Sequence, residues 1–349
     1  MIHGGYIYEQ DIAMDFSVNL NPMPMPDPIR GAMEKSLSNV SHYPDPLQMQ
    51  VRKTLSTFHG IAHDQVLGGN GASELIFGIV SMLRPKKALL LRPGFYGYEH
   101  ALMAVDCKIE DLYLREEKNF VLGDEILPCL RDELDLLILT NPNNPTGKLI
   151  DPELLEKILH QCYNRSISVL LDECFYEMSS SEENIAKRYQ KLLFQYPNLY
   201  VIKAFTKLFQ IPGIRAGYVL SQAKNLLCLR DYLPEWNMSV IAQETTVACA
   251  TCLMQTDYLK STRTLIREQR QFLQKGLGEM GIRVFDSDTS FLLVKSRRNL
   301  YRELLNHKIL IRDCRNFKGL GEGYYRMAVK GKEENEQLLA TLRSRGART

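Results

Sequence analysis

With 349 residues, 45% of them apolar and 24% charged, the chain can bury a large core and has the composition of an ordinary globular protein. Its formal net charge of +2, without a block of lysines and arginines, gives no support to a nucleic-acid or membrane-surface protein. Eight scattered cysteines, with one pair in CxxC spacing (Cys249 and Cys252) that has neither a second such pair nor a histidine beside it, predict no metal site but small buried hydrophobes in reduced cytosol, and hence a cytoplasmic protein.

The elements read as follows in chain order. Residues 1–30 are irregular, because Asn21-Pro-Met-Pro-Met-Pro-Asp-Pro28 suits neither a helix nor a central strand. A helical pattern covers 29–37, and a turn follows at Ser41-His-Tyr-Pro-Asp-Pro46. From there, short apolar runs at 65–67, 88–91, 136–140, 168–171, 199–203 and 216–220 alternate with helical patterns such as 152–163. That alternation predicts an α/β fold, with a mostly parallel central sheet and helices on both faces. Beyond Ser239 the texture changes to a long helical region reaching about 280, then strands at 291–294, 309–312 and 324–329 and a last helix from Glu333. The expected organisation is a large domain over 31–255 and a smaller α+β domain formed by 1–30 with 256–349.

The stretches that carry chemistry fall at the carboxyl ends of the predicted strands, where such sheets bind ligands. Gly68-Gly-Asn-Gly-Ala-Ser-Glu74 follows a strand and precedes a helix read as 74–83. It is either an anion cradle or a plain turn with Ser73 as helix cap. Pro93-Gly-Phe-Tyr-Gly-Tyr98 offers aromatics that can lie on a heteroaromatic ring, or simply pack. In Asn141-Pro-Asn-Asn-Pro-Thr-Gly147, two prolines fix a turn and Asn144 presents an amide donor. Asp172 ends a very apolar strand, where a carboxylate needs a cation or strong donors, unless it caps the next helix. Lys207 follows another apolar strand, with Thr206 beside it and Arg215 in Pro212-Gly-Ile-Arg215. A lysine so placed suits a covalent link to the aldehyde of pyridoxal phosphate, with the hydroxyl and guanidinium on its phosphate.

In this order the motifs resemble the fold type I pyridoxal-phosphate enzymes, in the histidinol-phosphate aminotransferase-like branch, over essentially the whole chain. The resemblance implies Lys207 as the lysine that binds the cofactor, Asp172 at its ring nitrogen and Asn144 at its phenolic oxygen. It implies Phe95 stacked on the ring, and Gly71, Ala72, Thr206 and Arg215 at the phosphate. It also implies a homodimer with shared sites, Tyr43 reaching the partner's phosphate. Where many relatives carry tyrosine three residues after the aspartate, this chain has Phe175, so the phenolic oxygen loses a donor.

Both termini, with Trp236 and Phe175, are similar to a sub-branch that decarboxylates L-threonine O-3-phosphate. This implies a small phosphorylated amino acid as substrate. Arg326 would sit at its carboxylate, Arg312 and His3 at its phosphate, and Asn19 and Asn144 would help to place it. Read alone, the arginines are surface ion pairs and His3 part of a frayed terminus. The competing enzymatic reading is an aminotransferase for histidinol phosphate or a related amino acid. A regulatory protein that keeps the fold without turnover is a third, and intact Lys207, Asp172 and Arg326 argue against it.

Overall fold

The structure is a computed structural model that describes residues 4–8 and 11–346. His3 lies outside the described residues. A first strand, β1 (Met14–Asp15), belongs to the N-terminal segment. The large sheet follows as β2 (Val66–Gly69), β3 (Lys87–Arg92), β4 (Lys108–Tyr113), β5 (Leu136–Thr140), β6 (Ser168–Asp172), β7 (Leu199–Lys203) and β8 (Gly217–Leu220). The last group is β9 (Arg283–Val284), β10 (Phe291–Lys295), β11 (Ile309–Leu310), β12 (Arg312–Asp313) and β13 (Tyr324–Ala328).

The large sheet has seven strands in the order β2-β8-β7-β6-β5-β3-β4. Only β8 runs against its neighbours. Strands β5, β6 and β7 are almost wholly buried and apolar, as strands covered by helices on both faces must be. Strand β4 escapes the sequence reading because Lys-Ile-Glu-Asp-Leu-Tyr has neither an apolar run nor clean alternation. It sits at the sheet edge, paired only with β3, where charged side chains reach water.

A four-stranded antiparallel sheet, β12-β13-β10-β9, forms a second layer system. Its core gathers Leu273, Leu277, Leu292, Met327 and Leu338 with Phe16 from the N-terminal segment. The expected strand 309–312 is in fact two. Residues Ile309–Leu310 pair parallel with β1, while Arg312–Asp313 join β13, so the chain changes sheets at Ile311.

Three helical expectations need correcting. A helix spans Asp27–Ser36, so the proline-rich segment does enter one: Pro28 occupies its first turn, where no amide donor is required. The long helical region is two helices, Val240–Gln255 and Tyr258–Glu279. The helix after the glycine-rich turn begins earlier than expected and spans Gly71–Leu83, so Ser73 lies inside its first turn and is not its cap.

Candidate active site

A cavity of about 430 Å³ opens at the carboxyl ends of β3, β5, β6 and β7, between the large sheet and the small one. Its wall includes Asn19, Gly71, Ala72, Phe95, Asn144, Asp172, Thr206, Lys207, Arg215, Arg312 and Arg326. Residues scattered over the whole sequence are thus brought to one place.

One end is built for an anion. The backbone at Gly71 has φ +78°, and a Cβ there would stand 2.6 Å from Nη2 of Arg215. A Cβ on Gly217 would meet the amide nitrogen of Ala72 at 2.6 Å. Glycine at both positions lets the first turn of the Gly71–Leu83 helix lie against β8 with Arg215 beside it. Helix-terminal N–H groups and a guanidinium then meet at the same spot. Arg215 is oriented by donating from Nη1 to the Pro212 carbonyl at 3.0 Å.

At the floor lies Asp172, 7% exposed, with no ion pair among the described residues. Its Oδ2 accepts from the Tyr98 hydroxyl at 2.7 Å and its Oδ1 from the Cys174 amide at 3.0 Å. Tyr98 in turn accepts from Thr140 Oγ1 at 2.9 Å. Burial, then the charge of Asp172, pushes the Tyr98 phenol well above its ordinary range, so it stays a donor. Phe95 immediately precedes the Tyr96–Met103 helix, and its ring meets that of Tyr98 edge to face at 5.4 Å. Phe175 also reaches the cavity wall and packs edge to face on Phe291 at 5.2 Å.

The backbone around Asp172 is braced by a buried ionic cluster. Arg188 donates to both oxygens of Glu173 at 2.7 and 3.0 Å, and Asn141 donates to the same carboxylate at 3.1 Å. Lys203, fully buried, pairs with Glu177 at 2.7 Å and donates to the Tyr189 hydroxyl at 2.7 Å. Four residues beyond Lys203 comes Lys207, whose amine makes no hydrogen bond or ion pair among the described residues. Burial lowers its proton affinity, the charges of Arg326 and Arg215 act in the same direction, and Cys174 and Asp172 oppose them.

The far wall comes from the small sheet. Arg312 and Arg326 stand directly opposite each other in β12 and β13. Arg326 donates from Nη1 to Asn144 Oδ1 at 2.5 Å and from Nη2 to the Ser17 carbonyl at 2.7 Å. The first contact turns the Asn144 NH₂ group away from Arg326 and leaves it free to donate. Arg326 Nε and Asn19 Oδ1 are buried without partners among the described residues. Burial, aided by the Arg312 charge and opposed by Cys314, pulls Arg326 down to about 10. Two desolvated guanidiniums held side by side form a strong anion site.

Tyr43 stands apart. It is 80% exposed, absent from the cavity wall and packed against Trp236 at 4.7 Å. The sequence reading missed Tyr98, Thr140, the Glu173–Arg188–Lys203 cluster and two further wall residues, Glu99 and Lys318. Tyr98 had a legible signal, since it closes the aromatic segment Pro93-Gly-Phe-Tyr-Gly-Tyr98 that the sequence offers for a ring.

Residues 11–342 match the aminotransferase class I and II family. The chain is 33% identical over 356 residues to a threonine-phosphate decarboxylase of Salmonella typhimurium, covering 98% of this chain and 96% of that one. It is 30% identical over 335 residues to a histidinol-phosphate aminotransferase of Thermococcus gammatolerans, covering 95% and 92%. The crystal structure of a histidinol-phosphate aminotransferase from Clostridium acetobutylicum superposes with a TM-score of 0.87 at 27% identity, covering 96% of this chain and all of that one.

These are pyridoxal-phosphate enzymes of fold type I, and this chain's residues fit the cofactor. The glycine cradle beside Arg215 would suit a phosphate, and the Lys207 amine, which has no hydrogen bond or ion pair among the described residues, would suit an aldehyde carbon. Asp172, buried with hydrogen-bond donors but with no cation among the described residues, would be satisfied by a protonated ring nitrogen.

Proposed function

The chain belongs to the aminotransferase class I and II family, and from that premise we propose that it decarboxylates L-threonine O-3-phosphate. The product is (R)-1-amino-2-propanol O-2-phosphate, for cobalamin biosynthesis. The observation that carries this reading is the full-length similarity to a threonine-phosphate decarboxylase. The opposed Arg312 and Arg326 support it, because they suit a substrate with an anion at each end.

Bound pyridoxal phosphate supplies an electron sink for the pair released when a bond at the substrate's Cα breaks. Gly71, Ala72, Thr206 and Arg215 would hold its phosphate, Asn144 its phenolic oxygen, Asp172 its ring nitrogen and Phe95 its face. Lys207 would hold its aldehyde carbon. Arg326 takes the substrate's carboxylate and Arg312 its phosphate, with Asn19 helping to place it. Fixing both ends sets the rotation about Cα, and that rotation selects which bond breaks. In decarboxylation the carboxylate leaves as carbon dioxide. Lys207, whose amine gives up a proton readily because burial disfavours its charge, returns one to Cα.

The second reading, transamination of histidinol phosphate, is favoured by the similarity to the two aminotransferases. A substrate panel separates the two. Phosphothreonine, phosphoserine and histidinol phosphate are each offered with and without 2-oxoglutarate, and the amine products are identified. Formation of (R)-1-amino-2-propanol O-2-phosphate without 2-oxoglutarate supports decarboxylation. Consumption of histidinol phosphate strictly dependent on 2-oxoglutarate overturns it.

The working enzyme is proposed to be a cytoplasmic homodimer of two-domain subunits, divided near residues 30 and 255. Exposed Tyr43 would serve the partner's phosphate site. An active monomer in sedimentation contradicts the shared site. No helix among the described residues is long and apolar enough to cross a membrane.

A further inference from the structure

The cavity wall continues from Arg312 in β12 into the loop that joins this strand to β13. Arg312, Asn316, Phe317 and Lys318 all line the cavity. Arg312 donates from Nη2 to Asn316 Oδ1 at 2.8 Å, and its guanidinium lies 5.4 Å from the Phe317 ring centre. Lys318 crosses to the opposite wall, where its ammonium meets Glu99 Oε1 at 2.8 Å and Asp111 at 3.9 Å. Glu99 also holds Arg92 at 2.8 Å, and Arg92 is 2% exposed and paired with Asp111 at 2.7 Å. Burial raises the proton affinity of Glu99, but Lys318 and Arg92 together more than reverse this and keep it a carboxylate.

We propose that Lys318 is a specificity-determining residue, which leaves Glu99 for the phosphate of a phosphomonoester substrate. The inference rests on the reading of the cavity as a site for phosphorylated amino acids, and it extends the phosphate end beyond Arg312. Three observations carry it. The Lys318 side chain is 49% exposed on a long stem, so it can swing, whereas Glu99 at 14% and Arg92 are fixed in place. When Lys318 leaves, Glu99 keeps Arg92, so no buried carboxylate is stranded. A phosphomonoester dianion also offers two charges where Glu99 offers one, and Lys318 with Arg312 from the strand before its loop neutralises both.

The test uses holoenzyme and follows the cofactor's visible absorbance as ligand is added. Affinity is measured for L-threonine O-3-phosphate against L-threonine, and for histidinol phosphate against histidinol. In Lys318→Met the preference for the phosphorylated member of a pair falls about tenfold to a hundredfold, the size of one charge-assisted hydrogen bond. Lys318→Arg restores most of it. An unchanged preference, or an equal loss for both members of a pair, makes Lys318 a strut between the domains and overturns the proposal. If phosphothreonine releases no carbon dioxide, the histidinol pair still reports on Lys318, so the two ideas fail separately.

Discussion

Replacing Arg326 by alanine tests the substrate end of the cavity. Its guanidinium is buried, donates to Asn144 at 2.5 Å and to the Ser17 carbonyl at 2.7 Å, and keeps Nε unspent. A substrate carboxylate gripped by this fork gains two charge-assisted bonds, each about 1.5–3 kcal/mol. Losing both costs about 3–6 kcal/mol of transition-state stabilisation, which lowers kcat/KM by roughly two to four orders of magnitude. The phosphate cradle and Asp172 lie on other elements, so cofactor retention falls far less. Steady-state kinetics with absorbance of the purified protein measures both quantities. If Arg326→Ala kept kcat/KM within about threefold of wild type, the carboxylate would be held elsewhere and Arg326 would have no part in gripping it. Loss of the cofactor in proportion to activity would refute that role equally.

Three further outcomes are expected. In cofactor-free protein, the pH profile for trapping pyridoxal phosphate on Lys207 with borohydride should inflect below the ordinary lysine value of 10.5, and Arg215→Met should move the inflection upward by removing a neighbouring cation. An inflection at or above 10.5 would show that burial does not set the amine's affinity. Asp172→Asn should keep much of its cofactor but lose most turnover, because an amide cannot keep a ring nitrogen protonated; wild-type turnover would remove Asp172 from the chemistry. Gly71→Ala places a methyl 2.6 Å from Arg215 at a backbone φ of +78°, so cofactor affinity should drop about tenfold or more while far-ultraviolet circular dichroism is unchanged. Unaltered affinity would mean that the phosphate lies elsewhere.

Much of this arrangement was legible in the chain because the buried strands announce themselves. The apolar runs at 136–140, 168–171 and 199–203 form strands where the alternation put them, and residues at or just beyond their ends meet in one cavity. What stayed hidden depends on pairing in space. Edge strand β4 carries no apolar signature, since one of its flanks faces water. The split at Ile311 follows from two different partner strands. The opposition of Arg312 and Arg326 is a matter of register, which the sequence of neither strand contains. The brace of Glu173, Arg188 and Lys203 joins residues from separate segments, and no spacing along the chain pairs them.

The most direct test of decarboxylation uses L-threonine O-3-phosphate labelled with carbon-13 at the carboxyl group, holoenzyme and no oxo acid. Labelled carbon dioxide is expected over many turnovers, with one equivalent of (R)-1-amino-2-propanol O-2-phosphate for each. Label retained in an oxo acid, after a single turnover that resumes only when 2-oxoglutarate is added, would contradict decarboxylation.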